Sequence, residues 1–188
     1  MALGALRSLC ERGGEVHLLW GNRDFLLDER VAQDVGATLH GDVLLGVDEA
    51  GGRTLFIHGD ELCTLDLSYQ RMRRVLRSRL VSAGLLSLPL SVSLWLARRL
   101  RKESKRAVGA KLPEDMAMQE DVVISLCRAH SADTLVCGHA HRWRDRPVSG
   151  GFRWIVLDAF GGALDVLCVD SEAQLVGARS GFKAEASA

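Results

Sequence analysis

The stretch Thr134-Leu135-Val136-Cys137-Gly138-His139-Ala140-His141 decides the fold class. A strongly apolar run that ends in a small residue reads as a buried strand, and the residues after it stand at that strand's C-terminal end. In open α/β sheets ligands bind at that end, so two imidazoles delivered there are placed for a metal. With only an alanine between them, His139 and His141 leave the loop at different angles and can serve two adjacent ions. Read alone, they could equally be two loop histidines without a role. The rest of the chain has to choose.

Two other stretches repeat the arrangement. Val16 to Trp20 runs into Gly21-Asn22-Arg23-Asp24, and Thr54-Leu55-Phe56-Ile57 runs into His58-Gly59-Asp60. Each is an apolar strand leading to a polar, metal-competent residue. Imidazole nitrogen and amide oxygen suit borderline ions such as Mn²⁺, Fe²⁺ or Zn²⁺. Taken singly, His58 reads as a hydrogen-bonded strand-end histidine and Gly-Asn as a common turn. Three occurrences of one pattern are much harder to obtain by chance.

Working outward, residues 2–12 read as an amphipathic helix stopped by Gly13-Gly14, and 27–35 as a short helix ending at Gly36. Strands are expected near 42–47 and 53–58, joined by the turn Glu49-Ala50-Gly51-Gly52. Helices come next on both sides of Pro89, then a helix over about 114–130, the strand into Gly138, and strands over 153–158, 163–169 and 174–178. The polar tail from Ser180 reads as frayed. This order predicts one α/β domain over residues 1–188, a layered sandwich of mixed sheets and helices whose front looks cut. At 188 residues, 47% hydrophobic and 26% charged, the chain is an ordinary soluble globular protein with room for a core. Five scattered cysteines without a C-x-x-C imply reduced thiols in a cytoplasmic compartment and no zinc motif. Arg7, Glu11 and Arg12 interrupt any signal-peptide core.

The formal net charge of zero hides an asymmetry. Residues 71–111 hold twelve of the 24 basic residues against Glu103 alone, and between the arginine clusters Leu80 to Ala97 carries no charge. About 20 apolar residues suffice to span a membrane, but four serines, Gly84 and a central Pro89 argue against a span here. A helical hairpin fits better, with apolar faces meeting each other and a lipid and a basic rim drawn to anionic headgroups. A solvated, arginine-rich helix pair packed on the core is the plainer alternative. Nucleic acid is disfavoured as a partner, because stacking aromatics are nearly absent.

Gly21-Asn22-Arg23-Asp24, His58-Gly59-Asp60 and Gly138-His139-Ala140-His141 together resemble the later three motifs of the calcineurin-like metallophosphoesterases. More narrowly, Arg23 with Asp24-Phe25-Leu26-Leu27 behind it, and His58-Gly59-Asp60-Glu61-Leu62-Cys63-Thr64 with Asp66 and Tyr69 after it, are similar to the UDP-2,3-diacylglucosamine pyrophosphohydrolases of lipid A synthesis. The likeness runs from about Leu18 through Arg142. It implies hydrolysis of the diphosphate of UDP-2,3-diacylglucosamine to UMP and 2,3-diacylglucosamine 1-phosphate by a two-metal mechanism. Mn²⁺ would be the cofactor, with Fe²⁺ or Zn²⁺ open, at the cytoplasmic face of the inner membrane as a peripheral protein.

Carried over residue by residue, the resemblance makes Asn22, His58 and His139 ligands of one metal and His141 a ligand of the other. Asn22 and Arg23 would meet the substrate, with the Arg23 guanidinium paired to the diphosphate oxygens. His139 would help protonate or orient the leaving group. Asp66, Ser104 and Lys111 fall on positions that hold the uridine and glucosamine part, and residues 67–111 on an inserted helical lid over the acyl chains. Val108 stands where the family has asparagine, which leaves one substrate contact in doubt. The family also opens with an Asp-x-His on its first strand and a Gly-Asp on its second, which this sequence lacks at its front. Without their bridging carboxylate nothing holds two ions at the ~3.5–4 Å of two-metal hydrolysis. The chain is therefore expected to be N-terminally truncated, and nearly inactive as it stands. A non-catalytic remnant that binds lipid or nucleotide, and an enzyme acting on another nucleotide diphosphate, are the alternatives.

Overall fold

The computed structural model describes residues 2–22, 27–89, 91–93, 95–96, 98–99, 117–170 and 174–179. Arg23, Ser104, Val108 and Lys111 lie outside them. The chain divides into two compact units, one of residues 1–41 and 63–117, the other of 42–62 and 118–188.

In the first unit α1 (Ala2–Glu11) ends before Gly13, whose φ of 86° is open to glycine at no steric penalty. Helix α2 (Glu29–Val35) starts at the Asp28 cap, whose carboxylate accepts from the Val31 amide, and stops at Gly36 in the left-handed region. Between them lies the first correction. The strand expected as buried from Val16 to Trp20 is only β1 (His17–Leu18), half-exposed, and pairs in parallel with an unforeseen β2 (Thr38–Leu39). A strand with one two-residue partner among the described residues is not covered on both sides, so its apolar side chains stay partly wet. Helices α3 (Leu67–Leu76) and α4 (Arg79–Leu86) come next, with helical backbone again within 91–99 beyond Pro89, as expected.

The second unit is built on a five-stranded sheet. Its strands are β3 (Val43–Val47), β4 (Arg53–Ile57), β5 (Thr134–Cys137), β6 (Arg144–Val148) and β7 (Phe152–Val156), in the order β3-β4-β5-β7-β6. The three central strands β4, β5 and β7 are parallel, and the two edge strands are antiparallel to them. Register aligns Leu55 with Leu135 and Leu135 with Trp154 in one row of fully buried side chains. Against that row packs α5 (Glu120–His130) through Val123 and Cys127, one helical turn apart. Burying each such aliphatic side chain stabilises the unit by roughly 1.5–3 kcal/mol. Strands β8 (Val166–Val169) and β9 (Leu175–Ala178) form a separate antiparallel pair.

Some boundaries differ from expectation, and one strand is not expected at all. Helix α5 starts at Glu120, so 117–119 are not helical, and 114–116 fall outside the described residues. Strand β8 starts at Val166 rather than 163, because Asp158 and Asp165 accept backbone amides and fold residues 159–163 into a loop. Strand β6 is unforeseen in the sequence. Its Arg144-Asp145-Arg146-Pro147 reads as loop, yet charge and proline are what an outer strand tolerates. All five cysteines are free thiols, and Cys63, Cys127 and Cys137 are buried. Burial, with Asp133 nearby, pushes the Cys127 thiol up from its ordinary value. No helix among the described residues is long and apolar enough to cross a membrane.

Candidate functional site

Because β4 and β5 are parallel neighbours, their C-terminal ends lie at one edge of the sheet, and each delivers a histidine there. The pairing continues one residue past the strands, with the Gly138 amide donating to His58 O at 3.0 Å. His58 and His139 then meet edge to face, ring centroids 5.3 Å apart and planes at 74°. Gly59 makes this approach possible. Its φ is 109°, and a Cβ there would lie 3.2 Å from Cys137 Cβ and 3.3 Å from His139 Cβ. The Gly59 amide donates to Glu61 Oε2, and the next residues form a short 3₁₀ turn, Asp60–Leu62, with Asp60 fully buried.

The backbone of Gly138–His141 is strained in an informative way. His139 has φ 62° and His141 φ 51°, and the Ala140 amide donates to Gly138 O at 2.7 Å across a three-residue turn. Among the described non-glycine residues only Ser131 shares such a φ, and Ser131 closes α5 as its C-cap. Left-handed conformation at a side chain of this size costs about 1–3 kcal/mol and persists where surrounding structure imposes it. Here the two residues on either side of Ala140 adopt it, and both are candidate ligands. His139 is half-buried and His141 exposed.

The donor chemistry fits a borderline divalent ion. With metal–nitrogen bonds of about 2.1 Å, two imidazoles in adjacent positions on one ion hold their centroids roughly 5 Å apart, and the His58–His139 spacing matches. Nε2 of His58 is buried, as a ligand atom facing inward would be. Among the described residues, no group of three or more His, Cys, Asp and Glu side chains converges as a metal cluster. The structure thus brings two of the four expected ligands together, with the third two residues away.

Asn22 belongs to the first unit, where its turn is fixed from several sides. The Trp20 amide donates to Gly41 O at 2.7 Å, and Trp20 Nε1 to Leu27 O at 2.8 Å. Arg77 Nη2 donates to Gly21 O at 3.3 Å. Asp66 is nearly buried at the N-terminus of α3, where Oδ1 accepts from the Tyr69 amide and the Ser68 hydroxyl. That cap holds the helix in place. Sequence reading gives no role to Asp60, Glu61 or Arg77. Asp60 and Glu61 stand inside a motif, and that position is the signal that could have singled them out. Arg77 is one of twelve cations in its stretch, and nothing in the sequence sets it apart.

No family model matches the chain. Similarity to curated proteins is extensive. A protein named UDP-2,3-diacylglucosamine hydrolase from Ectopseudomonas mendocina is 40% identical over 139 residues, 74% of this chain and 57% of that protein. Proteins of the same name from Pseudomonas entomophila and Pseudomonas aeruginosa are 44% and 38% identical, over 73% and 77% of this chain and 57% and 60% of their own length. The chain spans a little over half the length of the relatives it matches. The narrower resemblance, to the UDP-2,3-diacylglucosamine pyrophosphohydrolases, is borne out.

Proposed function

We propose, from the premise that this chain is a homologue of the UDP-2,3-diacylglucosamine hydrolases, that it carries part of a metal-dependent site for cleaving the diphosphate of that lipid nucleotide. The observation that carries the reading is the His58–His139 pair at the ends of two parallel strands, with His139 and His141 both in left-handed backbone. His58 and His139, with Asn22, are proposed for one ion and His141 for a second; Mn²⁺ is the ion to test first. When bound, such ions lower the pKa of water and neutralise phosphoryl oxygens. The chain's own residues do the rest. Arg23 pairs with the diphosphate and steadies charge as it develops on the phosphoryl oxygens. His139, half-buried, orients the leaving phosphate, while Asp66, Ser104 and Lys111 hold the uridine and glucosamine part.

The finer architecture belongs to the same proposal: a single metallophosphoesterase sandwich with a helical lid over residues 67–111. Its support is the exposed apolar surface of those helices, with Leu67, Val75, Leu80 and Trp95 all more than half exposed. Such side chains suit an acyl chain or a bilayer surface better than water. Anionic lipid at the inner membrane is the proposed surface, and the basic rim its electrostatic counterpart.

The test joins this chain behind a segment supplying the Asp-x-His and Gly-Asp that the family resemblance implies, and measures UMP release from UDP-2,3-diacylglucosamine with Mn²⁺. The chain alone should release almost none, and the joined protein should be active. No UMP from a folded, metal-loaded joined protein would overturn the reading.

A further inference from the structure

We propose that Arg77 is a positioning residue for Asn22, so that the first helix of the basic segment sets the metal-side turn. The inference rests on the reading of Asn22 as a ligand, but its geometry lies wholly within the first unit. Arg77 sits just past the end of α3, as its C-cap, and reaches across 56 residues of sequence to donate from Nη2 to Gly21 O, a partly buried bond. Gly21 is buried and Asn22, the next residue, half-buried. Tyr69, Met72, Arg73, Leu76 and Arg77 line one cleft together with Asn22. Their spacing of three or four residues makes them one stripe of the helix, so the side of α3 that carries them is turned to this turn.

The physical consequence is a restraint on one peptide unit. The Gly21 carbonyl and the Asn22 amide belong to the same planar group. A guanidinium bonded to that carbonyl fixes the plane from which the Asn22 side chain departs. Trp20 holds the turn from the other direction through Gly41 and Leu27. A charged donor to a neutral carbonyl is worth more than a neutral one, and such outer partners commonly change metal affinity or activity by about 10–100-fold. The bond also makes α3 more than one helix of the lid: movement of that helix would be felt at Asn22.

The experiment uses the joined protein described above and three single variants: Arg77→Ala, Arg77→Lys, and Arg74→Ala on the exposed side of the same helix. Two readouts are taken besides activity, direct Mn²⁺ binding by the paramagnetic resonance of free ion and hydrogen exchange at the Asn22 amide. Arg77→Ala should weaken Mn²⁺ binding about tenfold and speed Asn22 exchange, while α3 amides keep their protection. Arg77→Lys should recover part of both, and Arg74→Ala should change neither. Unchanged Mn²⁺ affinity and exchange in Arg77→Ala overturn the proposal, as does a loss confined to melting temperature. If the unsubstituted protein binds no Mn²⁺, the metal reading of the site falls. The exchange rate then judges the clamp by itself: faster in Arg77→Ala upholds it, unchanged overturns it.

Discussion

The two units place their candidate residues by different means. In the second, a parallel pair of buried strands carries His58 and His139 to one edge, and the ladder itself extends to the Gly138–His58 bond. In the first, Asn22 stands on a turn beside a two-residue strand, and side chains from distant elements fix it: Trp20 through Leu27, Arg77 through Gly21. Position in the sheet is set by many cooperative bonds and a core of Leu55, Leu135 and Trp154. Position on the turn is set by a few bonds that can be deleted one at a time. The sheet-borne histidines should therefore fail when they, or a residue packed directly against them, are replaced, whereas the turn should be tunable from farther away.

The largest effect tests the first half of that contrast. In the joined protein, His58→Ala and His139→Ala should each abolish UMP release and lower bound Mn²⁺, with little change in melting temperature. Neither ring belongs to the hydrophobic core cluster, so truncation opens no core cavity. Ligands of one site act as a unit, so the double variant should be little worse than either single one. Multiplying losses, with metal content intact, would show two independent roles.

Legibility divides along the same line. Strands β4 and β5 are readable because Leu55–Ile57 and Leu135–Cys137 are apolar runs closed by glycine motifs, and burial rewards that pattern directly. Helix α2 is readable from Asp28 and Gly36, since caps act locally. The features that escape the sequence depend on distant partners. Val16–Trp20 has the composition of a buried strand, but composition does not say how much chain covers it. Arg144–Val148 looks like loop until β7 is beside it, where Arg153 pairs with Asp145 at 2.7 Å. The left-handed φ of His139 is invisible in the letters, because any neighbour-imposed strain is. Arg77 becomes distinct only once its guanidinium is seen on Gly21.

Arg23 comes next in size. It lies outside the described residues, and its proposed role is to touch substrate and not metal. Arg23→Ala should leave Mn²⁺ content normal while kcat/KM falls by about 10²–10³, the scale of losing one charge-stabilising donor. Metal loss equal to that of His58→Ala would put Arg23 with the turn's scaffold instead.

A pair of glycines separates backbone strain from site geometry. Gly51 has φ 86° with open space around it, whereas Gly59 has φ 109° and three side chains within 3.3 Å of a Cβ. Gly51→Ala should lower stability by about 1–3 kcal/mol and leave turnover unchanged. Gly59→Ala carries the same strain and also presses on His139, and a ligand displaced by about 1 Å can lose roughly 10²-fold in rate. Denaturant midpoints and UMP release distinguish the two. Equal activity in both would mean that the histidine edge tolerates crowding and that Gly59 is not what lets the two rings approach.

The smallest effect lies on the scaffold alone. Glu120 opens α5, where a carboxylate also favours the helix dipole, and Arg146 of the outer strand β6 bonds it at 2.6 Å. That hydrogen bond, with the Arg146 charge and a Ser149 amide, holds the Glu120 carboxyl below its ordinary value against the opposing pull of burial. A carboxyl whose folded pKa is depressed contributes stability above its unfolded value, and loses it as pH falls through the folded one. Glu120→Gln should therefore lower the melting temperature slightly at neutral pH, with the gap narrowing below the usual carboxylate range and closing once both forms of the protein carry a neutral side chain. Both partners are well exposed, so salt should shrink the gap too. Turnover and Mn²⁺ affinity in the joined protein should not move, because the pair touches neither histidine. A gap that persists in strong acid would assign the loss to packing at the start of α5. A fall in Mn²⁺ affinity would show that the sheet edge can, after all, be tuned from a distance.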